Sequence, residues 1–374
     1  MNILIAGDSF KDALTASEVC RAIAAGIRAG RPDANIRLCP LADGGEGTYE
    51  VLAAVLGLHA VDMPSLDPLF RPLNATYGRS ADGQIAFVEM AKTAGLQLLT
   101  PGERNPLSTS SFGMGRQIAH AIHGGAQRII LAIGGSATND AGIGMAAALG
   151  WAFFDLAGTA LQPVGGNLSR IATIVPPPER PDVRVEVICD VTNPLFGLSG
   201  AAWVYARQKG ADDAAIDHLD KGLRHFARVA AQHGSAPDPA FPGAGAAGGM
   251  GFGAMYFLQA RLRRGIDAVL DLVDADEKLN WADLVVTGEG KIDFQTAHGK
   301  LIQGLCARAA GFGTPVIALC GRLEASAEEI EKIGLQAAYC INDPADPAEL
   351  PQQLKNTAAN LERTSQRIFE SFQS

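Results

Sequence analysis

Seven carboxylates, Asp8, Asp43, Glu46, Asp140, Asp190, Glu289 and Asp293, fall in glycine-bearing turns, and Lys11, Lys209, Lys291 and Lys300 stand near the same strand ends. Acids in such turns hold a divalent cation or accept a hydroxyl proton, and lysines offset phosphate charge. Phosphoryl transfer needs this combination. Some of these acids are equally suited to capping helices, Asp140 among them. The longest small-residue run is Gly134, Gly135, Ser136, Ala137, Thr138, Asn139, Asp140, Ala141, Gly142, Ile143 and Gly144. It follows the apolar segment 128–133, which reads as a buried parallel strand, and precedes 141–149, which reads as a helix. Small residues at a strand-to-helix turn expose backbone N–H groups where the helix dipole favours an anion such as phosphate.

The same arrangement recurs. Segment 3–6 runs into Gly7, Asp8, Ser9, Phe10 and Lys11, and segment 36–39 into Asp43, Gly44, Gly45, Glu46 and Gly47. Segment 185–189 ends in Asp190 and Asn193, and segment 284–286 in Gly288, Glu289, Gly290, Lys291 and Asp293. Ligands of open α/β sheets bind outside the carboxyl ends of the strands, so turns of this kind would together form a polar site.

The elements that carry these turns alternate. Thr15 and Glu18 fit a capping box, and Val19, Ile23 and Ile27 give the following helix one apolar stripe that Gly30 and Pro32 end. Strand 36–39, helix 48–56 and strand 58–61 make the opening read as βαβαβ with a parallel sheet. The closing third repeats the style, with strands 284–286, 315–320 and 336–341, helices at 300–310 and 325–333, and a long helix at 348–372. Between them, strands 73–77 and 85–89 flank Ala81, Asp82 and Gly83, a hairpin signal. The economical fold is therefore α/β with two domains. One parallel-sheet domain, 1–63 with 279–374, is interrupted by a distinct α/β domain, 64–278, that has a mixed sheet. Segment 234–253 reads as a loop leading into a small-residue helix.

With 374 residues and 47% apolar content the chain can bury a large core, and its net charge of -9 leaves no basic stripe for nucleic acid. No segment approaches the roughly 18 apolar residues of a membrane span, and Met1 leads directly into a strand, so a cytoplasmic protein is expected. The six cysteines lack metal spacing and read as reduced thiols, and the seven histidines read as surface residues. Gly243, Gly245 and Gly248 satisfy a dinucleotide pattern, but no strand precedes them. Lys291 and Lys300 lack the spacing of a Walker A loop.

Taken together, Asp-Ser-Phe-Lys at 8–11, Ala-Asp-Gly-Gly-Glu-Gly-Thr at 42–48, Gly-Gly-Ser-Ala-Thr-Asn-Asp at 134–140, Asp-Val-Thr-Asn-Pro-Leu at 190–195, Gln-Lys-Gly-Ala at 208–211, Gly-Ala-Ala-Gly-Gly-Met-Gly-Phe at 245–252 and Thr-Gly-Glu-Gly-Lys-Ile-Asp at 287–293 resemble the bacterial glycerate kinases encoded with glucarate and glyoxylate utilisation. The resemblance covers essentially the whole chain. It implies phosphorylation of D-glycerate by ATP with Mg²⁺, favours the 2-hydroxyl over the 3-hydroxyl, and implies a flavodoxin-like domain interrupted by an inserted one. Two places depart from the family pattern. Asp12 and Ala13 stand where Gly and Ser are common, and Ala206 and Arg207 where Gly and Pro are usual.

The catalytic candidates are Asp190, Lys11 and Asp43, with Asp190 either a general base or a Mg²⁺ ligand. Asp293 is the second candidate ligand for the metal. Candidates for holding substrate or phosphate are Ser9, Gly44, Gly45, Glu46, Gly134, Gly135, Ser136, Thr138, Asn139, Asp140, Asn193, Lys209, Gly248, Gly249, Glu289, Lys291 and Asp293. Expected partners are the two small molecules and, in assembly, a homodimer; neither nucleic acid nor membrane is expected. The readings from other classes are a non-catalytic phosphometabolite sensor, for which no output module is visible, and a phosphatase or mutase acting on a similar three-carbon acid.

Overall fold

The computed structural model describes residues 1–44, 47–293, 301–342 and 350–371. Its first strands are β1 (Asn2–Ile5), β2 (Asn35–Leu38), β3 (His59–Leu66), β4 (Pro72–Arg79) and β5 (Ile85–Glu89). Then come β6 (Arg128–Ala132), β7 (Ala152–Phe154), β8 (Thr173–Val175), β9 (Arg184–Ile188) and β10 (Arg261–Arg263). The last are β11 (Leu284–Ile292), β12 (Val316–Leu323) and β13 (Ala337–Cys340). The chain divides into two compact units, Met1–Leu56 with Gly265–Ser374, and Gly57–Arg264.

The first unit is built on a five-stranded sheet in the order β13-β12-β11-β1-β2, with every pair parallel. Counted within the unit, that order is 2-1-3-4-5, the flavodoxin-like winding, whose switch point lies between β1 and β11. Ile3, Ile5, Val286, Ile317 and Leu319 fill its core. Helix Ala16–Gly30 begins at the expected capping box, where Thr15 accepts from the Glu18 amide and the Glu18 carboxylate accepts from the Thr15 amide. Its Val19, Ile23 and Ile27 are buried. The terminal helix is broken where one continuous helix is expected. It runs Leu350–Lys355 and then Thr357–Ser371, with the Asn356 amide shared between the carbonyls of Gln352 and Gln353. Residues 348, 349 and 372 of that expected helix, and Lys300 of the expected helix at 300–310, lie outside the described residues.

The second unit carries a six-stranded sheet in the order β10-β9-β6-β5-β4-β3. Its first four strands are parallel, and β4 and β3 are antiparallel. The expected parallel strand at 58–61 is instead β3, which turns back at once and pairs with β4 from His59↔Arg79 to Leu66↔Pro72. Asp67 locks that turn by accepting from the amides of Leu69, at 2.8 Å, and Arg71, at 2.9 Å. The unit boundary therefore falls before β3. At the other junction, helices Gly265–Leu272 and Ala275–Trp281 go with the first unit, where Ile266 abuts Gly304 and the Arg37 guanidinium lies 4.3 Å from the Trp281 ring centroid. The expected β4–β5 hairpin forms, with Asp82 accepting from Ser80 Oγ and the Gln84 amide and Gly83 at φ 75°. No helix among the described residues is long and apolar enough to cross a membrane.

Candidate active site

In the first unit, backbone bonds carry the sheet past its formal strand ends. The Asp8 amide donates to the Gly288 carbonyl at 2.9 Å, and the Leu41 amide to the Gly7 carbonyl at 2.9 Å. This ties the loops after β1 and β2 to one another and to strand β11 at the switch point. There an open groove of about 1440 Å³ is lined by Asp8, Ser9, Lys11, Asp43, Glu289 and Lys291. The size exceeds the roughly 300–1,000 Å³ typical of a small-molecule pocket, which is room for a ligand of nucleotide length.

Buried Phe10 anchors the β1 loop, exchanging backbone bonds with Leu14. Asp12 takes the left-handed conformation at the tip, φ 63°. Asp is among the non-glycine residues that tolerate this conformation best. Burial pushes the Asp8 carboxyl up to about 6, with the Ser9 amide opposing and the nearby Asp43 charge adding to the rise. Lys291 is committed to Asp293 at 3.0 Å and Glu324 at 2.6 Å, and these carboxylates, Glu324 foremost, hold its ammonium above the ordinary range. Lys11 is exposed and makes no such pair among the described residues. Glu289 lies on β11, not in a turn. The strand continues through the glycines because β12 pairs it residue by residue, Gly288↔Leu319 and Glu289↔Cys320. Gly44 has φ 96°, and Gly45 and Glu46 lie outside the described residues.

In the second unit the turn after β6 divides in two. Gly134 and Gly135 are exposed at its tip, whereas Ser136, Thr138, Asn139 and Asp140 are buried. The helix that follows is only Ile143–Ala148, preceded by Ala141 and Gly142 with φ of 50° and 71°. Its leading donors are already taken. Asp140 accepts from the amides of Gly142 and Gly144, and from the amide and hydroxyl of Ser111. The anion at this helix start is thus the chain's own carboxylate, in place of the phosphate the sequence suggests. Burial raises the Asp140 pKa, with the Ser111 bonds opposing.

Lys209 is 2% exposed and donates to Ser136 Oγ and the Thr138 carbonyl, each at 2.7 Å. Burial pushes its ammonium down to about 7 against the pull of Asp140. The left-handed Gly248 and Gly249 seat their segment on this turn, because a Cβ on Gly248 would lie 2.1 Å from the Thr138 carbonyl. Both amide atoms of Asn139 and the Thr138 hydroxyl are buried with no partner among the described residues. Asn193 spends its side chain on its own loop, donating to the Ser199 carbonyl and accepting from the Tyr205 hydroxyl. Asp190 is exposed at the end of β9. Arg207 makes an exposed ion pair with Asp213.

The candidates therefore form two groups, one per unit. Ser111 was missed by sequence reasoning, and a serine in the run 108–111 offers no signal that it will bridge to Asp140. Asp8 stood among the strand-end acids without a site role.

The glycerate kinase family pattern matches residues 3–373. The chain belongs to the glycerate kinase family. It is 41% identical to a glycerate kinase of Bacillus cereus, over 98% of this chain and 97% of the relative. It is 42% identical to the glycerate 2-kinase of Escherichia coli, over 91% of this chain and 90% of the relative. A crystal structure of a putative glycerate kinase 2 from Salmonella typhimurium LT2 superposes with a TM-score of 0.87 at 41% identity, covering 99% of this chain and 97% of that one. The chain is thus an enzyme, a glycerate kinase by family, with the mixed α/β fold of that structure.

Proposed function

We propose that this glycerate kinase transfers the γ-phosphoryl group of ATP to the 2-hydroxyl of D-glycerate, giving 2-phosphoglycerate and ADP. The groove at the switch point carries the reading, since it joins carboxylates to a lysine that no described carboxylate neutralises. The choice of the 2-hydroxyl rests on the name of the Escherichia coli relative. Lys11 is assigned to charge on the transferred phosphate or on the substrate carboxylate. The backbone amides of the exposed residues Gly134 and Gly135 are assigned to an anionic group of a substrate.

Among the described residues no cluster of three or more His, Cys, Asp or Glu side chains is arranged to hold a metal. Mg²⁺ in kinases is bound through one or two carboxylates together with phosphate oxygens, so a carboxylate at a strand end fits it. Exposed Asp190 is the ligand we assign, and Asp293, the partner of Lys291, is the second candidate. When bound, Mg²⁺ neutralises charge on the phosphate oxygens.

The test is phosphorus NMR of the purified protein with ATP, Mg²⁺ and D-glycerate. Equal formation of ADP and 2-phosphoglycerate is expected. A 3-phosphoglycerate signal would reverse the regiochemistry, and no phosphoglycerate at all would return the protein to the sensor reading.

A further inference from the structure

We propose that Asp8 is the catalytic base of the groove, the carboxylate that takes the proton of the acceptor hydroxyl. This rests on the phosphotransferase reading above and goes further by naming the group that reading leaves open. Three observations carry it. Asp8 lies just past the end of β1, beside the switch point between β1 and β11, where its amide is tied to Gly288. It is half-buried and lines the groove, so a ligand can reach it. Among the described residues only Ser9 donates to it, through its amide at 2.6 Å and its hydroxyl at 3.4 Å, both to Oδ1, which leaves Oδ2 without a donor.

That third observation separates Asp8 from the structural aspartates. Asp140 receives four bonds, and Asp67 receives the amides of Leu69 and Arg71 together with the Arg71 guanidinium. A carboxylate whose oxygens are occupied in that way has little acceptor capacity left for a reactant, whereas Asp8 retains one oxygen for it. Its proton affinity suits the task, because burial and the Asp43 charge place it at about 6, near the working pH of a general base.

The groups around it come from every neighbouring element. Lys11 and Asp12 share its loop; Asp43 and Glu50 come from the β2 side; Cys20 comes from helix Ala16–Gly30; Glu289 and Lys291 come from β11 and Arg322 from β12. In the step itself, the hydroxyl oxygen forms its bond to the γ-phosphorus as the bond from that phosphorus to the bridging oxygen breaks. The electron pair leaves with ADP, and the hydroxyl proton passes to the Asp8 carboxylate and from there to solvent.

Asp8→Asn keeps the shape and the Ser9 bonds but cannot accept the proton. Its kcat should fall about 10²–10⁴-fold. In the wild-type protein kcat/KM should decline on the acid side with a midpoint near 6. Asp43→Asn should move the midpoint of its residual activity to lower pH, because a like charge has been removed. Stability supplies an independent readout. Since the folded pKa of Asp8 is raised, ionised Asp8 costs stability above about 6 and not below the ordinary carboxylate range, so Asp8→Asn should raise Tm at pH 7 and progressively less towards pH 4. A lowered Tm would mark Asp8 as structural and overturn the proposal. So would an Asp8→Asn enzyme retaining more than about a tenth of wild-type kcat, or an acid midpoint that Asp43→Asn leaves in place. A wild-type protein that turns over no glycerate overturns both this proposal and the reading beneath it, whereas an active wild type with an active Asp8→Asn variant overturns this one alone.

Discussion

Lys209 shows what it costs to build the second unit's turn. A fully enclosed ammonium has lost its hydration and recovers only part of that loss from Ser136 Oγ and the Thr138 carbonyl, so its pKa sits at about 7 against an ordinary 10.5. Between those values the unfolded chain binds a proton that the folded one does not, and this residue's contribution to stability therefore rises with pH across that window. Lys209→Met removes the titration and also the two hydrogen bonds. The stability difference between wild type and Lys209→Met should grow in favour of wild type from pH 7 to pH 10, by on the order of a few kcal/mol. Thermal melts of the pair across that range check it, and parallel curves would show that Lys209 keeps its charge throughout. At this scale the sequence reveals residue type and chain neighbours only. The helix start beside Asp140 is visible in the run 134–144, but the donors that occupy Asp140 come partly from Ser111, 29 residues earlier, and no local pattern announces them.

Elements are legible where their cause is local. The capping boxes of Thr15 with Glu18 and Ser326 with Glu329, the turn at Asp82 and Gly83, and the buried stripe of helix Ala16–Gly30 all follow from residues within four positions of one another. What the chain does not display is the partner. Strand β11 runs on through Gly288 and Gly290 because β12 pairs with it, and β3 leaves the first sheet because Asp67 turns it onto β4. The contact between helices Ala16–Gly30 and Thr357–Ser371 has the same non-local origin. A Cβ on Gly26 would lie 2.1 Å from the Glu362 carbonyl oxygen and 2.7 Å from Ser365 Cβ. The obstacle is backbone, so the helices must part. Gly26→Ala should therefore destabilise by about 3 kcal/mol despite the better helix propensity of alanine. Gly102→Ala, where a Cβ meets nothing, is the control. A Gly26→Ala melt within a degree of wild type would show that the pair slides apart at no cost.

At the scale of the whole molecule, the way the chain is shared between the two units decides which parts can fold alone. Residues 57–264 are continuous and own their sheet from β3 to β10, together with a core of Val88, Ile129, Leu131, Val187, Leu223 and Phe252. Nothing in that sheet is borrowed. Residues 1–56, by contrast, supply only β1 and β2, and β1 needs β11 on its other edge, where Ile3, Leu4 and Ile5 pair with Leu284, Val285 and Val286. Helix Ala16–Gly30 likewise buries its stripe beside Leu361, Ile368 and Phe369 of the terminal helix. Two strands and the helices Ala16–Gly30 and Thr48–Leu56, without those partners, are too little to offset the conformational entropy of ordering them. A fragment spanning 57–264 should therefore be folded and melt cooperatively, as circular dichroism with temperature would show, while a fragment spanning 1–56 should be unstructured until 265–374 is added in trans. A non-cooperative melt of 57–264, or an ordered 1–56 fragment, would mean that the chain folds as one body and that the division drawn from its contacts has no thermodynamic counterpart.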